Sequence, residues 1–178
     1  MARQPDDELV KDVFAHYGLA VYLAHVLERS LVTALTTVYG PGPTKLTRQQ
    51  LDERFEDFSK QGVRALLATL RKAGLSEDTL TAVQAALAER DRLTHQFFWQ
   101  HAADFMSVDG CQRMIAELTE AQHRFVQCES RVVAEVHQWA SAHGITTSDF
   151  DAVHTAMLER GHVLDEGEIE EVLRSARR

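Results

Sequence analysis

The stretch Glu89-Arg90-Asp91-Arg92-Leu93-Thr94-His95-Gln96-Phe97-Phe98 decides how the rest of the chain is read. At about 100° per residue, Leu80, Val83 and Leu87 upstream and Leu93, Phe97 and Phe98 downstream fall on one helical arc. Arg90 sits near the middle of that arc, where packing alone calls for a leucine. A guanidinium stays charged near pH 7, so placing it in an apolar seam costs several kcal/mol unless a partner neutralises it. Asp91 and His95, four residues apart, share the edge of the same arc.

A second break in the apolar pattern lies upstream. From about Asp7 to Tyr39 the residues Val10, Phe14, Tyr17, Val21, Ala24, Glu28, Leu31, Leu35 and Val38 follow a 4-3 alternation, the pattern of a bundle seam. Glu28 occupies one of its positions. Two charged residues of opposite sign, each in a place suited to an aliphatic one, are expected to pair across the two helices. Gly18 inside the first helix is a local cost that a close helix approach would explain.

Outward from these two helices, punctuation residues set the remaining elements. Gly40-Pro41-Gly42-Pro43 ends the first helix, and Thr47-x-x-Gln50 reads as a capping box for a short helix to about Phe58. A helix from Lys60 to Ala73 ends at Gly74. Ser76 opens the central helix, expected to run to about Phe105. Asp109 is expected to cap a long helix through Met114, Ile115, Leu118, Phe125, Val132, Val136 and Trp139, stopped by Gly144. Thr147 or Ser148 opens a helix to about Arg160, and Asp165 a last one to Arg174. The fold expected is all-α: four to five core helices in residues 1–144, with a helical, acidic C-terminal appendage in residues 145–178.

The central motif, Arg90-Asp91-x-x-x-His95, resembles the R-x(4–6)-H signature of HEPN domains, in which a polar residue usually follows the arginine. The resemblance rests on this motif and on the helical layout of about residues 8–143. It implies a dimeric all-helical domain, and many members are metal-independent ribonucleases of toxin–antitoxin or antiviral systems. Arg90 would then stabilise charge on the scissile phosphate, and His95 would act as general base on the 2′-hydroxyl. Glu28 and Asp91 would be the orienting residues, Asp91 acting on His95 or Arg92. Five residues on a straight helix separate Arg90 and His95 by about 140°, and dimerisation around the motif helix is how the family brings such groups together. In the branch paired with nucleotidyltransferase antitoxins a tyrosine stands two residues after the histidine. Here that position is Phe97, so adenylylation there is excluded.

Charge bears on the RNA expectation from both sides. A net charge of −8 opposes general nucleic-acid affinity. Yet no acid lies between Ser59 and Ser76, where Lys60, Arg64, Arg71 and Lys72 make a basic stretch, and Arg92 lies in the motif itself. These five are the candidate RNA contacts. Arg92 and Trp99 are expected on the outer face, where a surface stack between them is the plainer account. From Asp149 to Glu171 the chain is strongly acidic, which reads as solvated helix faces.

No stretch reaches the roughly 18 uninterrupted apolar residues of a membrane span, and the N-terminal residues carry no signal-peptide pattern. Cys111 and Cys128 fall ~25 Å apart on one helix, so they are expected as reduced thiols in a cytoplasmic protein. The nine histidines lack ligand spacing, and Glu120-x-x-His123 lacks the second copy a di-iron site requires, so neither metal nor cofactor is expected. The expected partners are RNA, a second copy of the chain, and an antitoxin or regulatory protein, with no membrane. A non-catalytic module for dimerisation, partner binding or nucleotide binding is the competing reading.

Overall fold

The computed structural model describes residues 4–39, 53, 56–57, 63–72, 74–162 and 164–177. Lys60, the Thr47–Gln50 capping box and the end of the short helix at Phe58 lie outside the described residues, as does the side chain of Arg64. Among the described residues every regular element is helical: α1 (Asp7–Tyr39), α2 (Val63–Lys72), α3 (Glu77–His95), α4 (Phe97–Gln100), a 3₁₀ turn (Asp104–Met106), α5 (Val108–Ala142), α6 (Thr147–Arg160) and α7 (Glu166–Ala176). The expected all-α class is observed.

The chain forms two compact units, one of residues 1–31 and 62–132, the other of residues 32–61 and 133–178. The first unit contains the motif helix and most of the buried side chains. Its core is built on α5, where Cys111, Met114, Leu118, Ala121, Phe125, Cys128 and Val132 are each at most 3% exposed. Their 3-4 spacing is a strict heptad seam over three repeats. Also buried in this unit are Leu66 and Leu70 of α2, Leu80, Val83, Leu87 and Leu93 of α3, and Phe97 of α4.

The seam of α1 differs from the expected one. Val13, Ala20, Ala24, Leu27 and Leu31 are buried, whereas Phe14 is 52% exposed and Val10, Tyr17, Val21 and Glu28 are only partly covered. The buried stripe is therefore rotated by about one residue, because Leu27 rather than Glu28 takes the position between Ala24 and Leu31. This puts Glu28 on the margin of the core. By length and composition Asp7–Leu35 could cross a membrane, with a mean hydropathy of 1.3 over its best window and 39% of that window buried. In the first unit this helix supplies one wall of the core.

The central helix stops earlier than expected. It ends at His95, where Gln96 leaves helical geometry with φ −131° and ψ −21°. The break lets consecutive phenylalanines part: Phe97 is 1% exposed, while Phe98 lies against Phe14, Tyr17 and Phe105 with ring centroids 4.8–6.0 Å apart. Ser107, not Asp109, caps α5, its Oγ accepting from the Gly110 amide at 3.1 Å. At Gly110 the chain passes close to the backbone of Asp104. A Cβ there would run into the Asp104 carbonyl oxygen, so only glycine fits beneath the 3₁₀ turn.

Helix ends elsewhere follow the sequence more closely. Ser76 caps α3 by accepting from the Thr79 amide. At Gly74 (φ +86°) the Leu75 amide bonds the Leu70 carbonyl and the Gly74 amide the Arg71 carbonyl, the paired bonds of a Schellman turn. Gly144 (φ +80°) repeats them with Ala140 and Ser141.

In the second unit α6 packs on α7. Thr146, one residue before the expected start, caps α6 through a reciprocal box with Asp149, and Asp165 caps α7 through one with Glu168. The acidic segment is not uniformly solvated. Asp149 is 3% exposed and takes both the Nε (2.8 Å) and Nη2 (3.0 Å) bonds of Arg177. That guanidinium holds its carboxyl far below the usual range, with help from the Thr146 amide. The Asp165 amide, and after it Arg160, lowers Glu168 to about 2.

Candidate functional site

Glu28 and Arg90 meet. The Arg90 Nη2 lies 2.5 Å from Glu28 Oε1, with the two side chains 28% and 29% exposed. The register follows from burial on both helices: Leu27 and Leu31 turn Glu28 to the core margin of α1, and Leu87 and Leu93 fix Arg90 on α3. The arginine stem is buried deeply enough that its Nε is sealed from solvent without a hydrogen bond. Asp91 Oδ1 approaches that nitrogen at 3.3 Å, a Coulombic contact with poor hydrogen-bond geometry. Glu28 also receives His25, whose Nδ1 is 3.2 Å away. One arginine thus faces two carboxylates, with a histidine joined to the first.

His95 is placed differently. It is the last residue of α3, exposed, and has no hydrogen-bond or ion-pair partner among the described residues. Asp91, expected to orient His95 or Arg92, contacts Arg90 instead. Trp99, 87% exposed, follows on the next short helix. The structure therefore brings Glu28, Asp91 and Arg90 together and leaves His95 apart from them, as the 140° divergence requires.

Arg92 departs from the expectation of an outward-facing RNA contact. Its side chain is 26% exposed, and its bonds go to Glu89 (3.0 and 3.1 Å), to Glu117 of α5 (2.6 Å) and to Gln100 (3.1 Å). The guanidinium carbon lies 5.9 Å from the Phe97 ring centroid, so the aromatic it meets is Phe97 rather than Trp99. The reason is angular. Two residues beyond Arg90 means about 200° of rotation, which turns Arg92 toward α5, where Glu117 stands.

Around Arg92 lies a polar network that sequence reasoning missed. His101 hydrogen-bonds Asp104 through Nδ1 at 2.9 Å and places Nε2 3.0 Å from a Glu117 carboxylate oxygen, so the ring stands between two acids. Arg113 also pairs with Asp104, and Arg124 donates to Glu89 at 2.8 Å. The hydrogen bond from Arg92, more than that from Arg124, depresses the Glu89 carboxyl. Asp104 is depressed first by His101 and then by Arg113. The spacings of three in Glu89–Arg92 and His101–Asp104 were the local signals for this network.

The basic stretch is partly neutralised. Arg71 donates Nε and Nη2 to Glu77 at 2.7 and 3.0 Å, so the acid just beyond the stretch takes its most C-terminal arginine, while Lys72 is exposed. Among the described residues no three His, Cys, Asp or Glu side chains gather as a metal would need. No protein-family model, curated protein or solved structure matches this chain.

Proposed function

We propose that the chain is a HEPN-like, metal-independent endoribonuclease, cytoplasmic and acting in a toxin, antiviral or stress-response setting under an antitoxin or regulatory protein. His95 takes the proton of an RNA 2′-hydroxyl, whose oxygen attacks the adjacent phosphorus. The P–O5′ bond breaks, the 5′-oxygen takes a proton from water, and the products carry 2′,3′-cyclic phosphate and 5′-hydroxyl ends. Arg90, oriented by Glu28 and Asp91, stabilises charge on the phosphoryl oxygens. The observation that carries this reading is the exposed His95, free of partners among the described residues, five residues from an arginine that two carboxylates hold in place.

A non-catalytic interaction module is the second reading, and one observation favours it. Glu28 and Asp91 already oppose the charge of Arg90, as Glu89 and Glu117 oppose that of Arg92, which leaves little unmet positive charge for a phosphate.

Incubating the folded protein with a mixed RNA pool in EDTA separates the two. Cleavage to 2′,3′-cyclic phosphate ends by wild type, lost in His95→Ala and Arg90→Ala, is the expected result. Intact RNA in the presence of folded wild-type protein overturns the ribonuclease reading in favour of the module.

A further inference from the structure

The outward face of α1 carries a second heptad. Glu8, Asp12, Ala15, Leu19, Tyr22, Val26 and Arg29 are spaced 4-3-4-3-4-3, each about 200° round the helix from a residue two positions away toward the core. Leu19 is 47% and Tyr22 63% exposed, Ala15 is exposed and Val26 half-buried. The middle of the stripe is thus apolar and uncovered, which is unusual for the solvent face of a core helix.

Gly18 adds an independent observation. It lies in mid-helix, where glycine costs roughly 1 kcal/mol relative to alanine. A Cβ at this position would meet nothing within 4 Å, so no contact among the described residues requires a glycine. A second helix backbone approaching there would.

The charges specify the occupant. Asp7, Glu8 and Asp12 make the N-terminal end of the stripe acidic, with Lys11 tied to Glu8 at 2.7 Å. The C-terminal end carries Arg29 on the stripe and His25 beside it, each with an interaction inside its own chain as well, His25 with Glu28 at 3.2 Å. Two copies laid antiparallel about an axis at Gly18 and Leu19 bring Glu8 level with Arg29, Asp12 level with His25 and Ala15 level with Tyr22. A parallel pair would set the acids against their own copies. An antiparallel pair also opposes the two helix dipoles favourably.

We infer that the outward face of α1 is a self-association surface, on which a second copy of this chain docks antiparallel about a two-fold axis at Gly18–Leu19. The surface is separate from the motif helix α3, and the inference does not rest on the ribonuclease reading.

Directed cross-linking of the full chain tests both the surface and the orientation. Cys111 and Cys128 are buried and free, so the background is low. Mixing Ala15→Cys chains with Tyr22→Cys chains under mild oxidation is expected to give a disulfide dimer. Ala15→Cys alone is not, because two copies of position 15 stand roughly 10 Å apart along the axis, beyond disulfide reach. By sedimentation, Leu19→Glu is expected to weaken the wild-type dimer by roughly thirtyfold or more while far-UV circular dichroism stays unchanged. A wild-type chain monomeric at all concentrations, a dimer indifferent to Leu19→Glu, or cross-linking of Ala15→Cys with itself overturns the inference. So does a monomer that floats with neutral or anionic phospholipid vesicles and loses them on Leu19→Glu.

Discussion

Arg90 and Arg92 stand two residues apart on one helix, and their surroundings differ in kind. Arg90 reaches back to α1, meets one carboxylate at 2.5 Å and a second at 3.3 Å, and keeps a buried nitrogen without a hydrogen bond. Arg92 turns the other way into a network in which Glu89, Glu117 and Gln100 all accept from it, extended by His101, Asp104, Arg113 and Arg124. The difference teaches what each is suited to. A guanidinium with every nitrogen engaged is a structural tie, whereas one with an unmet donor beside an exposed end can exchange partners.

The largest effect is expected where the second cluster is anchored. Gly110→Ala drives a methyl group into the Asp104 backbone. The 3₁₀ turn must move, carrying Asp104 away from His101 and Arg113. A loss of about 3 kcal/mol in urea unfolding is expected, the upper range for overpacking. An unchanged midpoint would falsify the close crossing.

Next comes the Arg90 side. Arg90→Met leaves Glu28 facing apolar neighbours and is expected to cost about 2 kcal/mol, less than a fully buried pair because both side chains are partly exposed. Adding Glu28→Leu should recover most of that loss. Non-recovery in the double variant means that Glu28 has obligations beyond Arg90, with His25 the first to inspect.

Arg92→Ala sharpens the contrast from the other side. About 1–2 kcal/mol of stability is expected to go with its bonds to Glu89 and Glu117. On the proposed ribonuclease function, RNA cleavage per folded molecule should stay as in wild type, whereas Arg90→Ala should abolish it. Equal loss of cleavage in both would mean that the two arginines act as one site.

A smaller effect belongs to the acidic end of the chain. Glu168 titrates at about 2 in the folded protein and near 4.5 when unfolded. Asp149 is depressed as well. A lowered folded pKa stabilises above the unfolded value and is lost as pH falls through the folded one. The α6–α7 hairpin is therefore expected to loosen between about pH 4.5 and 2, followed by amide exchange, and Asp149→Asn should flatten the dependence. Least of all, Glu77→Ala is expected to leave stability unchanged, since its pair with Arg71 is open to water.

How much of this was legible beforehand depends on the range of the signal. The Glu28–Arg90 pair could be read because each residue violates a periodic apolar pattern, and two violations of opposite sign on neighbouring helices name each other. Helix caps at Ser76 and Asp165 were local and equally readable. The Arg92 network was not, because Arg92, His101 and Glu117 lie on a polar face where charged residues violate nothing. Their meeting depends on the break at Gln96, and no residue type announces that break. The α1 seam was misplaced by one residue since Leu27 and Glu28 both satisfy a 3-4 spacing, and only the packed neighbours choose between them.

The buried thiols carry one more consequence. Burial raises Cys128 to about 11, so at pH 7 roughly one molecule in ten thousand holds it as thiolate. Cys111 is raised by the same cause. Both lie in the α5 seam, five turns apart. Alkylation of either must wait for its own stretch of the helix to open, and the two labelling rates become separate clocks for opening at two points of one core. A reagent added to the native protein at increasing urea would time them side by side, without any substitution.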